Sequence, residues 1–170
     1  MTIAEISPEN IQRAQKIKLL LMDCDGVLTD GRLYLSADGE AFKVFHARDG
    51  QGIVDWHMAG FRSGIISGRS SPIVEFRAEQ LGIEFVLQGR KEKLSALNEI
   101  LDLAHVSANE VAYVGDDTPD ADVMRLVGLA VAVSDAHDTV RSTAHIVTKL
   151  NGGCGAVREV IDMLLESKKV

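Results

Sequence analysis

Six short apolar runs, at residues 17–22, 64–67, 84–87, 111–114, 129–133 and 145–147, constrain this chain more than any other feature. Each is short, apolar and rich in Ile, Val, Leu or Ala, as expected of strands buried on both faces. Stretches of helical character at 50–59, 72–81, 91–103, 119–127 and 156–167 separate most of them. Strands that alternate with helices pair in parallel, because each helix carries the chain back to the starting edge of the sheet. The expected fold is therefore α/β, with a mostly parallel sheet covered on both faces. A chain of 170 residues has room for one such domain, spanning 1–170.

Local signals agree with this reading. Ser71-Pro72 and Thr118-Pro119 each place a hydroxyl at a helix N-cap and a proline at the first helical position. Ser107 and Glu110 have capping-box spacing and open a single turn, and Gly60, Gly82 and Gly128 are expected to close helices. One segment, 31–50, breaks the alternation. Leu33, Leu35, Phe42, Val44 and His46 are spaced like two period-two strands joined through 36–40, where Asp38-Gly39 is a hairpin signal. A hairpin inserted here reads as an extension of the sheet, a rim over a site, or an oligomer contact.

Composition narrows the function. No apolar stretch approaches the ~20 residues that span a bilayer. The opening segment MTIAEISPENIQRAQK lacks the apolar core of a secretory signal, so no membrane partner and a cytoplasmic location are expected. The formal net charge of −7 lacks the basic footprint of a nucleic-acid binder. A small anionic substrate is still possible, since it feels only the field of its own pocket. Cys24 and Cys154 have no CxxC or Cys/His spacing, which argues against a disulfide framework or a structural zinc site.

Ligands of open parallel sheets bind beyond the carboxyl ends of the strands. Asp23 and Asp25 follow the first run, Ser67-Gly68-Arg69 ends the second, and Gly115-Asp116-Asp117 with Asp120 follows the fourth. Five carboxylates gathered there would repel one another without a cation, and an all-oxygen set suits a hard divalent ion such as Mg²⁺. A carboxylate beside such an ion can attack a phosphoryl group and form an aspartyl phosphate. A second carboxylate two residues on can protonate the leaving alkoxide and later activate water. Ser67 can hold a phosphoryl oxygen, and Lys91 or Lys93 can neutralise charge on the equatorial oxygens.

The set Asp23-x-Asp25-Gly26-Val27, Ser67-Gly68, Lys93 and Gly115-Asp116-Asp117 resembles the four motifs of the haloacid dehalogenase superfamily, in order and over nearly the whole chain. That resemblance implies a Rossmann-like three-layer sandwich. It makes Asp23 the nucleophile, Asp25 the general acid/base, Ser67 a phosphate ligand and Lys93 its stabiliser. Asp116 would hold Mg²⁺ together with Asp23 and the backbone carbonyl of Asp25, and Asp117 and Asp120 would serve around the metal. The segments DGVLTDG, FHARDGQGI, SGRSSPIV, YVGDD, VSDAH and NGGCGAVREV are similar to those of the 3-deoxy-D-manno-octulosonate 8-phosphate (KDO 8-phosphate) phosphatases. That group lacks a cap domain and assembles as a homotetramer in which the hairpin and neighbouring-subunit segments close the site. By the same analogy His46, Ala47, Arg48, Asp49, Gly50, Arg69, Arg77 and Lys93 contact the substrate, whose phosphate and carboxylate both suit arginine.

The implied activity is a Mg²⁺-dependent phosphoric monoester hydrolase acting on KDO 8-phosphate, in lipopolysaccharide precursor synthesis of a Gram-negative bacterium. Two departures, Cys154 where many relatives have Arg and Val54 where several have a basic residue, leave a nine-carbon sugar acid 9-phosphate as an alternative substrate. A non-catalytic oligomerisation domain would show degraded motifs, whereas here the set is complete. Other conspicuous residues have plainer readings. Cys24 reads as a small buried side chain, Asp30 as an anchor for the hairpin, and Lys91 as a solvated neighbour of Lys93. Cys154 reads as unreactive, Trp56 and Met58 as core or subunit interface, and His57, His105, His137 and His145 as surface or packing residues.

Overall fold

Strand β1 (Leu19–Met22) is buried along its whole length. In the computed structural model, which describes residues 5–169, it sits inside a parallel sheet. The hairpin strands are β2 (Tyr34–Ser36) and β3 (Gly39–Phe42). They are followed by β4 (Arg62–Ile66), β5 (Phe85–Leu87), β6 (Val111–Gly115), β7 (Leu129–Ala132) and β8 (Ile146–Val147). The six main strands run β5-β4-β1-β6-β7-β8, all parallel. The order reverses at β1, so its carboxyl end is the topological switch point of the sheet. Register brings the flanking ends level with it: Met22 pairs with Ile65 of β4 and with Val114 of β6.

Helices α1 (Pro8–Lys16), α2 (Ala47–Met58), α3 (Pro72–Leu81), α4 (Lys93–Ala104), α5 (Ala121–Met124), α6 (Asp138–Thr143) and α7 (Ala156–Ser167) complete the molecule. α7 packs between α1 and α2 on one face, while α4 and α5 cover the other. Leu19, Leu20, Leu21, Met22, Trp56, Tyr113 and Val131 are fully enclosed. Cutting a side chain such as Leu21 back to Ala would cost about 2–5 kcal/mol at such a site.

Several boundaries differ from the sequence expectation. No helix is expected in the opening segment, yet α1 forms at Pro8–Lys16, with Ser7 Oγ accepting from Asn10 N (3.3 Å) and Pro8 at the first position. α6 has no counterpart among the expected helices and is capped by His137, whose Nδ1 accepts from Thr139 N (3.2 Å). α2 begins at Ala47 instead of residue 50, so His46 is its N-cap and no part of a strand. The predicted helix at 119–127 divides into a 3-10 turn at Thr118–Asp120 and the short α5. There Asp117 and not Thr118 is the cap, accepting from Thr118 N at 2.7 Å. Ser71 precedes α3 without capping it; its hydroxyl donates to Glu40 of the hairpin instead. Gly60 and Gly82 close α2 and α3, but Gly128 closes nothing: four residues past α5, it donates its N–H to Ala108 O (2.8 Å). The capping box of Ser107 and Glu110 is present.

The hairpin is a separate two-stranded sheet and extends nothing. Tyr34 and Phe42 stack across it with centroids 4.5 Å apart. Leu35 and Phe42 point to solvent, whereas the Lys43 side chain, just past β3, is 2 % exposed and turned toward the end of β1.

Candidate active site

A cleft of about 420 Å³ opens at the carboxyl ends of β1, β4 and β6. It is lined by Asp23, Asp25, Ser67, Arg69, Lys91, Lys93, Asp116 and Asp117, with Gly31 and Leu33 from the base of the hairpin. A larger cleft, about 680 Å³, lies at the opposite ends of the strands. Two of its cations are engaged: Lys18 pairs with Glu110, and Lys168 Nζ donates to the carbonyls of Gln15 (3.0 Å) and Ile17 (2.7 Å).

Asp23 leaves β1 with its N–H donated to Val114 O (3.0 Å), which fixes it between β4 and β6. Its Oδ1 accepts from Cys24 N (2.6 Å) and its Oδ2 from Lys93 Nζ (2.8 Å). The next turn is possible because Gly26 adopts φ +97° and has no side chain. A Cβ there would lie 2.1 Å from Asp116 Oδ2, so glycine lets the Asp116 carboxylate close over the loop. Cys24 turns inward and is fully enclosed; burial, with the Asp25 carboxylate nearby, pushes its thiol far above the ordinary range. The thiol is therefore a packing group and the flanking carboxylates face the cleft.

Lys93 opens α4, so β5 and the loop after it deliver the ammonium to Asp23. It also donates to Asp120 Oδ1 (2.7 Å). Asp120 is wholly buried; its Oδ1 accepts from Tyr113 as well (2.6 Å), and its Oδ2 from Asp116 N (2.9 Å) and Asp117 N (3.2 Å). Burial works against the Lys93 ammonium, but the Asp23 and Asp120 charges outweigh it and raise its pKa.

Asp116 is different. Its Oδ1 is buried with no hydrogen-bond partner among the described residues. Burial, then the charges of Asp23 and Asp120, push its carboxyl up to about 8. Asp23 is raised to about 6 by burial, with Lys93 opposing. One carboxylate oxygen from each of Asp23, Asp116 and Asp120 lies within 4.8 Å of the others. An orphan buried oxygen amid carboxylates destabilised by their own charges fits a divalent cation. Asp120 already has two protein donors on each oxygen, whereas Asp23 has one on each and Asp116 Oδ1 has none, so Asp23 and Asp116 are the groups more open to that ion, with Asp117 exposed at the rim.

Three residues beyond the sequence reading belong here. Lys43 pairs with Asp25 Oδ1 and, at 2.9 Å, with Glu40 Oε1; Arg69 Nε stands 3.5 Å from Asp25 Oδ2. Glu40 in turn accepts from Ser71, so the hairpin is tied to the catalytic loop and to α3. The third is Tyr113, behind Lys93. Lys43 was detectable in principle, since period-two alternation places it opposite Phe42 and Val44. A tyrosine within the buried run VAYVG likewise signals a hydroxyl that needs a partner.

Within one chain the remaining expected substrate contacts lie elsewhere. Asp49 accepts from Gly155 N (3.2 Å) and Arg158 N (2.7 Å), joining α2 to α7. His46, Gly50 and Arg77 line a small separate cavity, with the Arg77 guanidinium 5.8 Å over the Phe45 ring. Arg48 lies beside Lys149 and Arg158, and Ala47 beside Lys43 and Phe76. Asp30 accepts from Arg32 N (3.1 Å) and anchors the entry to the hairpin. Cys154 is exposed in the loop whose Gly153 N–H donates to Val27 O (2.9 Å). The histidines make local bonds: His57 Nε2 contacts Ser63 Oγ (2.7 Å), His145 Nδ1 accepts from Ala130 N (2.9 Å), and His105 ends α4 at φ 54°.

Comparison with known proteins agrees with this geometry. Residues 53–161 match the model of the haloacid dehalogenase-like hydrolases. The KDO 8-phosphate phosphatase of Yersinia pestis is 45% identical over 160 residues, covering 94% of this chain and 86% of that protein. A probable phosphatase from Pseudomonas syringae, solved by crystallography, superposes with a TM-score of 0.93 at 47% identity, covering 95% of this chain and 92% of that one. The Moraxella catarrhalis KDO 8-phosphate phosphatase, solved with magnesium, phosphate and KDO, gives a TM-score of 0.92 at 37% identity, covering 95% and 92%. With acidic, basic and hydroxyl groups set at the switch point of a parallel sheet that superposes on theirs, this chain belongs to the haloacid dehalogenase-like hydrolases, in the family of KDO 8-phosphate phosphatases.

Proposed function

We propose that this protein hydrolyses KDO 8-phosphate to KDO and inorganic phosphate, with Mg²⁺ as cofactor and Asp23 as nucleophile. The Asp23–Lys93 pair beside the orphaned oxygen of Asp116 carries the reading. Asp23, Asp116 and the backbone carbonyl of Asp25 would hold the ion, with Asp117 through water. When bound, it supplies positive charge against the phosphoryl oxygens.

The chain's own groups do the rest. Ser67 and Lys93 orient the phosphoryl group so that an Asp23 oxygen faces phosphorus in line with the leaving oxygen. As the new Asp23–phosphorus bond forms and the bond to the leaving oxygen breaks, Asp25 delivers a proton to that oxygen. For this Asp25 exchanges Lys43 for the substrate. It then takes a proton from water, whose oxygen attacks phosphorus and frees Asp23. Arg69, at the mouth of the cleft, is placed to meet an anionic sugar. The residues at 46–50 and Arg77 would reach a substrate only from a neighbouring subunit, which accords with a homotetramer. A cytoplasmic role in lipopolysaccharide precursor synthesis follows from the same reading. The relatives bearing the eight-carbon name do not favour the nine-carbon substrate, and the intact motif set does not favour a non-catalytic domain.

The test is phosphate release from a panel of sugar phosphates, with Mg²⁺ and with chelator. KDO 8-phosphate should give the highest kcat/KM, only with the metal. Asp23→Asn should reduce turnover at least about 10³-fold with its melting temperature retained. Undiminished release by that variant would refute the mechanism.

A further inference from the structure

Tyr113 is a buried titratable group that the reaction above leaves without a task. It points from the middle of β6 into the space behind Lys93, fully enclosed. Its hydroxyl donates to Asp120 Oδ1 at 2.6 Å and accepts from Lys93 Nζ at 3.4 Å. An ammonium has three hydrogens, and here each faces an oxygen: Asp23 Oδ2 at 2.8 Å, Asp120 Oδ1 at 2.7 Å and the Tyr113 hydroxyl.

We propose that Tyr113 is a positioning residue that keeps the Lys93 ammonium forward, aimed at the nucleophile and the transferring phosphoryl group. The argument is a competition for one oxygen. Asp120 Oδ1 is shared by Tyr113 and Lys93, so the tyrosine's short bond satisfies part of the carboxylate that would otherwise draw Lys93 inward. Asp120 cannot turn aside, because Oδ2 is held by Asp116 N and Asp117 N. Without the hydroxyl, Lys93 becomes the sole partner of Oδ1 and one of its hydrogens loses its acceptor. Oδ1, no longer shared, then holds Lys93 more tightly and draws the ammonium back toward Asp120. Stabilisation of charge that develops only in the transition state depends on preset geometry, so the loss falls on turnover more than on binding.

This inference rests on the aspartyl-phosphate reading above but not on the identity of the sugar. Tyr113→Phe preserves the ring and leaves both Asp120 oxygens with donors. Its kcat should fall about tenfold while KM changes less than about twofold, the pattern of an interaction realised in the transition state. Inhibition by orthovanadate, which mimics the five-coordinate phosphoryl group, should weaken in proportion to kcat, while inhibition by inorganic phosphate stays constant. Ile161→Val, an α7 core change remote from the cleft, is the stability comparator and should keep wild-type kcat. Wild-type kcat in Tyr113→Phe, equal weakening of vanadate and phosphate, or failure of that variant to fold would each overturn the proposal. Activity retained by Asp23→Asn would instead refute the phosphatase reading itself.

Discussion

Asp116 and Asp23 set the response of the metal-free protein to pH. Both carboxyls are raised above the ordinary value near 3.8, to about 8 and about 6, chiefly by burial. A carboxyl raised in the folded state binds its proton more tightly there than in the unfolded chain. Its contribution to stability is therefore lost as pH rises from about 4 to about 8. The melting temperature of chelator-treated protein should fall across that window. Mg²⁺ should restore more at pH 8 than at pH 5.5, because binding requires the deprotonated oxygens. In Asp116→Asn the slope should be shallower and the Mg²⁺ gain lost; thermal melts with and without chelator test both. Cys24 gives the complementary expectation. It is enclosed and its thiol is pushed upward, so Cys24→Val should retain activity within about twofold, and a collapse without unfolding would reassign the nucleophile. The residues legible in the sequence are those that follow strand ends, because a parallel sheet brings such ends together whatever its details. Lys43 and Tyr113 show only that they point inward; their roles are not legible, since these depend on which side chain from another element stands opposite.

The hairpin is held to the body largely through charge. Lys43, 2 % exposed, lies between Asp25 and Glu40, and Glu40 reaches Ser71 at the start of α3. Removing that cation leaves two carboxylates, each 16 % exposed, facing one another with Arg69 as their one remaining cationic partner among the described residues. Lys43→Met should therefore destabilise the protein by about 2 kcal/mol, the scale of a lost charged hydrogen bond. Proteolysis within the hairpin should quicken, and kcat should fall through Asp25; unchanged cleavage would show that the tie is unimportant. Similar physics explains which elements the sequence concealed. α1 is strongly polar overall, with Ala14 its one fully enclosed residue, and it is anchored through Arg13 to Gly128 O (3.1 Å) and through Lys168 to its last carbonyls. α6 is six residues long, with only Val140 buried. In contrast α3, α4 and α7 carry enough apolar surface to announce themselves, and the predicted and observed bounds of α3 and α7 coincide.

For the molecule as a whole, four of the ten large apolar side chains exposed among the described residues cluster at the hairpin. Leu33, Leu35, Phe42 and Val44 are 46 %, 64 %, 51 % and 53 % exposed, and all belong to the hairpin or its flanks. A two-stranded sheet that shows both edges and an apolar side to water is an unstable arrangement for an isolated chain, and association relieves it. The expected substrate contacts at 46–50 and Arg77 also lie outside the chain's own cleft, while Leu33 lines its mouth. Covering the hairpin and completing the site would then be one event. Sedimentation velocity at micromolar concentration should show a tetramer, and the double variant Leu35→Asp, Phe42→Asp should shift it to smaller species. Because Asp23, Lys93 and Asp116 all come from one chain, those smaller species should still bind Mg²⁺. Their KM for the sugar phosphate should rise about tenfold or more, since groups supplied across the interface would be withdrawn. A wild-type protein that sediments as a monomer with full activity would detach the hairpin from the chemistry and leave its apolar residues to some other partner.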